Sequence, residues 1–199
     1  MVGGGSVAER KIGMLLEHQA SVTVISPTLC QGLQHLAEQG AIQTIIRNYH
    51  TGDLEEAFLV IAATDDPCIN AAIADQRGKQ RALVNVVDNP EISDFIVPAL
   101  VRRGDITIAI STAGKSPALA RKIRAELENS FGVEYATLVR LVNEVRSELK
   151  SRGFTVHGDD WQEVLDLDSL IEMIRAGRAE EVKAILLHNL NKLEGGGTK

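Results

Sequence analysis

The sequence predicts an α/β fold: a parallel sheet, then a small strand pair, then a helical C-terminal region. Three observations predict it. A glycine-rich opening leads straight into a helical pattern. Residues 58–63 and 82–87 are almost wholly apolar, as buried parallel strands are. Strand and helix patterns alternate up to about residue 90, after which helical patterns take over.

The opening reads Met1-Val2-Gly3-Gly4-Gly5-Ser6-Val7-Ala8-Glu9-Arg10-Lys11. Gly3, Gly5 and Ala8 fit G-x-G-x-x-[G/A], the turn that brings main chain against a dinucleotide pyrophosphate at a helix N-terminus. Gly3 permits the tight turn, Gly5 lets phosphate approach, and Ala8 lets the helix sit close to the sheet. A glycine-rich start of this kind is also compatible with a disordered tail. Val7, Ala8, Ile12, Leu15 and Leu16 then mark one face of a helix, which residues 18–20 interrupt. Residues 21–26 form a β-branched strand closed by Pro27, completing a βαβ start and a Rossmann-like reading. Two features depart from that pattern. No acidic residue stands at the end of this strand to hold ribose hydroxyls; Ser26 and Thr28 offer hydroxyls instead, leaving NAD against NADP open. Only Met1 and Val2 precede the glycines, so the first strand is largely missing. An upstream start or a truncation is expected, or else a partner or rearranged strand that fills the gap.

Leu29, Leu33, Leu36 and Ala37 recur at helical spacing up to Gly40, and residues 41–46 form a short strand. Residues 48–53 are a loop before the apolar strand at 58–63. Thr64-Asp65-Asp66-Pro67 opens a helix through Ile69, Ala72 and Ile73 toward Gly78, with Pro67 in its first turn. The strand at 82–87 runs into Asp88-Asn89-Pro90. Residues 95–101 and 105–111 then read as a strand pair joined by Arg102-Arg103-Gly104. Ser116 is an N-cap and Pro117 a first helical residue. Leu119, Ile123 and Leu127 make one helical stripe; Leu138, Leu141, Val142, Val145 and Leu149 make a longer one. Residues 153–160 break the pattern, 161–173 and 179–190 are two further helices, and 194–199 read as a frayed tail. The expected domains are residues 1–90, a nucleotide-binding sheet; 91–128, strand pair and helix; and 129–199, helical.

Composition bounds the function. Of 199 residues, 44% are hydrophobic and 24% charged, ordinary for a soluble globular chain. No apolar run spans a bilayer, and no basic-then-apolar leader opens the chain. Cys30 and Cys68 stand singly within helical patterns, which suits reduced thiols and a cytoplasmic setting. A net charge of -6 argues against a general nucleic-acid surface. The five histidines lack metal-site spacing, so no metal ligands are assigned. Asp65-Asp66 suits a helix start better than a cation.

Ligands of open α/β sheets lie outside the carboxyl ends of the strands. That places Gly3 to Gly5, Ser26 to Thr28, Ala63 to Asp66, and Asn85 to Asp88 around one crevice. Asp88 follows an apolar strand, where a carboxylate can orient substrate or accept a proton; Asp-Asn-Pro is equally good turn chemistry. Between Lys115 and Arg124 stand four basic residues and no acidic one, either an anion site or a solvated helix face.

Four motifs in order, residues 2–11, Ala62-Ala63-Thr64-Asp65-Asp66, Asn85-Val86-Val87-Asp88 and Ser111-Thr112-Ala113-Gly114-Lys115-Ser116-Pro117, resemble precorrin-2 dehydrogenase, the dehydrogenase and sometimes ferrochelatase module of siroheme synthases. The resemblance runs from Val2 to about Arg124. It implies NAD-dependent oxidation of precorrin-2 to sirohydrochlorin, with Asp88 as the key aspartate. It also implies a homodimer with exchanged segments. Gly5, Ser6, Val7, Pro27 and Thr28 match NAD-contacting positions, to which strand-end placement adds Gly3, Ser26, Ala63, Thr64 and Asn85. Ser111 and Thr112 match a serine-rich loop beside the substrate, and Lys115 and Arg121 suit its carboxylates. Ala113 stands where a glycine is common in the family. A bifunctional enzyme that also inserts iron or cobalt is one alternative; a non-catalytic NAD(H)-sensing domain is another.

Overall fold

The computed structural model describes residues 1–76 and 82–196; side chains of residues 194–196 are not described. The chain divides into two compact units, Met1–Val97 and Pro98–Lys199.

The first unit alternates helix and strand: α1 (Ser6–Glu17), β1 (Thr23–Ile25), α2 (Gln31–Glu38), β2 (Gln43–Ile45), β3 (Leu59–Ala62), α3 (Pro67–Ala74) and β4 (Leu83–Val86). A 3-10 turn follows at Pro90–Ile92. β1 pairs with β2, and β3 with β4, both in parallel. The expected gap at the first strand is filled by the chain's own opening residues. Val2 bridges Ile25 on one side and Ala62 on the other, both in parallel. Its N–H donates to Ile61 O, its carbonyl accepts from Ala63 N–H, and Gly3 N–H reaches Ile25 O. Counting that stub as a strand gives the order 3-2-1-4-5, the doubly wound arrangement. Val2 has a ladder on each side and a dry position, being 2% exposed. Two apolar clusters hold the sheet: α1 and α2 pack Ala8, Ile12 and Leu33 against Val24, while α3 packs Ile73 against Val2, Val60, Ala62 and Val84. Gly40 ends the second helical segment with φ 70°, as its position suggested; Gly78 lies outside the described residues.

The second unit opens with an antiparallel pair, β5 (Ala99–Arg103) and β6 (Ile106–Ile110). The expected strand at 95–101 is displaced: residues 95–98 lie outside it, Arg102 and Arg103 are within it, and the turn is Gly104-Asp105. Gly104, at φ 58°, supplies the left-handed turn residue. Arg103 reaches along the strand to donate to the carbonyls of Glu128 and Phe131, at the C-terminus of α4 (Pro117–Ser130). The buried residue of α4 is Ala120, flanked by half-buried Ile123 and Leu127; Leu119 is 51% exposed, so the expected stripe is rotated by one residue.

α5 (Glu134–Ser151), α6 (Gly158–Val164), α7 (Leu167–Arg175) and α8 (Ala179–Gly196) share one core. Leu138, Leu141, Val145 and Leu149 pack there with Val164, Leu170, Ile171, Val182, Leu186 and Leu190. The single helix expected at 161–173 is two, separated at Leu165-Asp166, and the first begins at Gly158, inside the expected break. His157 starts it by donating its N–H to Asp160. The expected frayed tail is helical as far as Gly196. Among the described residues no helix is long and apolar enough to cross a membrane.

Candidate functional site

The carboxyl ends of the stub, β1, β2 and β3 converge on a cleft of about 690 Å³ in the first unit, within the size range of small-ligand pockets. Its centre is main chain. Gly3 has φ 113°, and a Cβ there would stand 2.2 Å from Ala63 O. A Cβ at Gly4 would stand 2.1 Å from Thr28 O. These two glycines are demanded by the neighbouring strand ends. Gly5 differs: its φ is -87°, and nothing lies within 4 Å of the position a Cβ would take. Nothing in the protein requires glycine at 5, whereas a ligand pressed against the main chain would.

Gly5 is also the N-cap of α1, with no side chain capping it. The first intrahelical bond is from Glu9 N–H to Gly5 O, so the N–H groups of Ser6, Val7 and Ala8 have no intrahelical partner. Free N–H groups and the positive helix end favour an anion. Ala8, 0% exposed, brings the helix close to the sheet.

The flanking loops are fixed internally. Ser26, 6% exposed, donates its hydroxyl to Thr28 O at 2.7 Å, and Cys30 N–H donates to Gly4 O. Ser26 therefore shapes the loop, while Pro27 and Thr28 are exposed at its tip. Thr64 hydrogen-bonds Asn70 through its hydroxyl and its carbonyl. Asp66 accepts from the N–H groups of Cys68 and Ile69 as the N-cap of α3, and Asp65 lines the cleft.

Of the sequence-assigned residues, Gly3, Gly5, Ser6, Val7, Ser26, Pro27, Thr28, Ala63 and Thr64 line this cleft together; Asn85 and Asp88 do not. Asn85 is buried, its amide donating to Phe95 O at 2.9 Å while its Oδ1 has no partner among the described residues. Asp88 is exposed at φ 60°, a left-handed conformation that aspartate tolerates, with Asn89 N–H closing a turn on Val86 O. It interacts electrostatically with Lys11 of α1. Burial lowers the Lys11 ammonium from its usual pKa, with Arg10 adding to the effect and Asp88 opposing it.

Gly4, placed at the crevice by the strand-end rule, lines it too, whereas sequence reasoning missed Cys30, Asn48 and Tyr49 as cleft residues. Asn48 and Tyr49 follow β2, so the strand-end rule finds them once β2 is counted. Beneath them Arg47 grips Asp53 through two 2.7 Å hydrogen bonds, and His50 N–H adds a third. This holds the Asp53 carboxyl at a pKa of about 2. Burial, then Asp53, pushes the Tyr49 phenol up.

Ser111, Thr112, Lys115 and Arg121 belong to the second unit. Ser111 Oγ accepts from Ala113 N–H, and Thr112 Oγ1 from Ser116 N–H. Ser116 Oγ caps α4 at Leu119 N–H. The basic run sorts into two kinds: Lys122 and Arg124 pair with Glu126 and Glu128 on the same helix, whereas Lys115 and Arg121 are exposed and have no ion pair among the described residues. Among the described residues no group of three or more His, Cys, Asp or Glu side chains is placed to hold a metal ion.

Sheet order, glycine cradle and strand-end cleft define a doubly wound, nucleotide-binding α/β protein. Residues 1–99 match the family model described as putative NAD(P)-binding, and residues 103–130 that of the sirohaem biosynthesis protein central region. The siroheme synthase of Methylococcus capsulatus is 37% identical over 195 residues, covering 94% of this chain and 40% of that protein. That of Nitrosospira multiformis is 39% identical over 197 residues, covering 96% and 41%. The solved structure of SirC, precorrin-2 dehydrogenase, superposes with a TM-score of 0.73 at 25% identity, covering 96% of this chain and 92% of that one. The chain belongs to the precorrin-2 dehydrogenase and siroheme synthase family, and spans about two-fifths of the length of the siroheme synthases it matches.

Proposed function

We propose that this chain is an NAD-dependent dehydrogenase that oxidises precorrin-2 to sirohydrochlorin in siroheme biosynthesis. The observation that carries the reading is Gly5: an open cradle at an uncapped helix N-terminus, on a chain 96% of which matches SirC. Bound NAD supplies the hydride acceptor. The N–H groups of Ser6, Val7 and Ala8 would hold its pyrophosphate, with Pro27, Thr28, Ala63 and Thr64 lining the rest of the cleft that would take it. Asp88 takes the proton lost from the macrocycle as the hydride leaves. Lys115 and Arg121, which have no ion pair among the described residues, bind substrate carboxylates with Ser111 and Thr112. Asn85 supports the strand end that carries Asp88. The domain limits at residues 90 and 128, a homodimer and a cytoplasmic setting belong to the same proposal.

The test is an anaerobic mixture of protein, NAD and precorrin-2, followed for NADH and sirohydrochlorin together. Stoichiometric appearance of both is expected. Asp88→Ala should lower turnover by about 10²-fold or more while NAD still binds. NAD binding without turnover in the unaltered chain would replace the enzyme by a nucleotide sensor.

A further inference from the structure

The strand end that usually carries an acidic residue for the cofactor ribose ends here in Ser26-Pro27-Thr28. A carboxylate nevertheless stands at that corner of the fold, delivered from another element. Glu9, in the first turn of α1, reaches across to the start of α2. Its Oε2 accepts from Cys30 Sγ at 3.1 Å. Its Oε1 lies 1.9 Å from where a Cβ on Gly32 would be, so the carboxylate fills the space that glycine leaves free. Cys30 is the N-cap of α2 and makes no side-chain cap. The positive end of that helix therefore faces Glu9, and no cation among the described residues is paired with Glu9.

The cleft adds a second, independent observation. Among the described residues lining it there is no lysine, arginine or histidine, but there are Asp65 and Asp66. Doubly wound proteins that take NADP use an arginine near the second strand end for the 2′-phosphate. Here the carboxylate of Glu9 stands next to the lining residue Cys30, and no cation among the described residues is paired with it.

We infer that Glu9 is the residue that restricts this site to a dinucleotide with a free 2′-hydroxyl, by occupying the α2 N-terminus with negative charge where a 2′-phosphate would otherwise be drawn. The inference rests on the dinucleotide reading above. Glu9 acts by position: it adds no group to the pyrophosphate cradle. Glu9 does not itself line the cleft but stands behind its lining residue Cys30; a like charge so placed disfavours a phosphate dianion by about tenfold, whereas a ribose hydroxyl is indifferent to it.

Equilibrium titration with NAD and with NADP tests this on the unaltered chain, Glu9→Gln, Gly32→Ala and Glu38→Gln, with thermal melting of each. The unaltered chain should favour NAD, and Glu9→Gln should reduce that preference by about tenfold. Gly32→Ala, whose Cβ displaces the carboxylate without removing it, should reduce it by less, and serves if Glu9→Gln folds poorly. Glu38→Gln removes the same charge from the far end of α2 and should leave the ratio alone. A folded Glu9→Gln with an unchanged ratio, or equal binding of both cofactors by the unaltered chain, overturns the inference while leaving nucleotide binding intact. An unaltered chain that binds neither overturns the dinucleotide reading and this inference with it.

Discussion

The two units make their candidate sites from different materials. In the first, the cleft centre is backbone: Gly3, Gly4 and Gly5, free N–H groups of α1, and no cationic side chain among the described lining residues. In the second, the candidates are side chains on a loop and a helix surface, and neighbouring charges are largely consumed by one another. Glu134 pairs with Arg175, Glu144 with Arg140 and Lys183, and Glu148 with Arg152. A main-chain site is fixed by steric necessity and leaves a pattern of small residues in the sequence. A side-chain site depends on which charges remain unpaired, and that is decided only when the chain folds.

The strongest way to break this comparison lies within the glycines. Gly3→Ala sets a Cβ against Ala63 O at a φ that L residues avoid, and should cost about 2–4 kcal/mol of stability. Gly5→Ala meets nothing in the protein, so its melting temperature should stay near that of the unaltered chain. Its NAD affinity should nevertheless fall by about tenfold or more, as a methyl group intrudes on the phosphate. Calorimetric melting with NAD titration checks both. Equal destabilisation by the two substitutions would mean that Gly5, like Gly3, serves the fold.

How much was legible follows the same division. Gly3, Gly5 and Ala8 could be read because their spacing encodes close approach within a few residues. Gly4 was placed at the crevice, but the need for glycine there could not be read, because its reason is a carbonyl at Thr28, brought in by the β1–α2 loop. Asn48 and Tyr49 were passed over as an ordinary loop, although β2 ends beside them. The strand pair was readable but not its register, since alternation alone does not say whether Arg102 and Arg103 turn or continue. The division at Leu165-Asp166 was hidden because apolar residues on both sides keep helical spacing. Lys115 and Arg121 were visible as charges; that Lys122 and Arg124 differ from them required the ion pairs.

Asp53 tests the rim of the backbone site. Its carboxyl has a folded pKa of about 2 against an ordinary 3.8. The folded value is depressed, so the stabilisation is complete above pH 3.8 and is lost as pH falls through about 2. Asp53→Asn should cost about 1–2 kcal/mol at neutral pH. The gap from the unaltered chain should narrow between about pH 4 and pH 2, read by urea unfolding across that range. A gap independent of pH would show that Arg47 contributes packing and not charge.

On the side-chain site, Lys115→Ala combined with Arg121→Ala should raise KM for the polycarboxylate substrate about five-fold, less so at high salt. Lys122→Ala, which breaks only a helix-surface pair, should leave KM unchanged. An equal effect from Lys122→Ala would make the patch a diffuse field and not two contacts.

The smallest effect sharpens the comparison most, because it locates a backbone demand inside the side-chain site. Ala113 adopts φ 50° and is followed by Gly114 at φ 77°. An alanine in the left-handed region carries a steric penalty that glycine does not, while glycine costs more conformational entropy on folding. The first term is the larger at a residue already held there, so Ala113→Gly should raise stability by about 0.5–1 kcal/mol. Ser111 Oγ and Thr112 Oγ1 accept from the loop's own N–H groups, so the turn is fixed by hydrogen bonds that the substitution leaves in place. Substrate KM should therefore be unchanged. A stabilised loop with altered KM would mean that the strain at residue 113 sets how Ser111 and Thr112 are presented, and that this loop too works through its main chain.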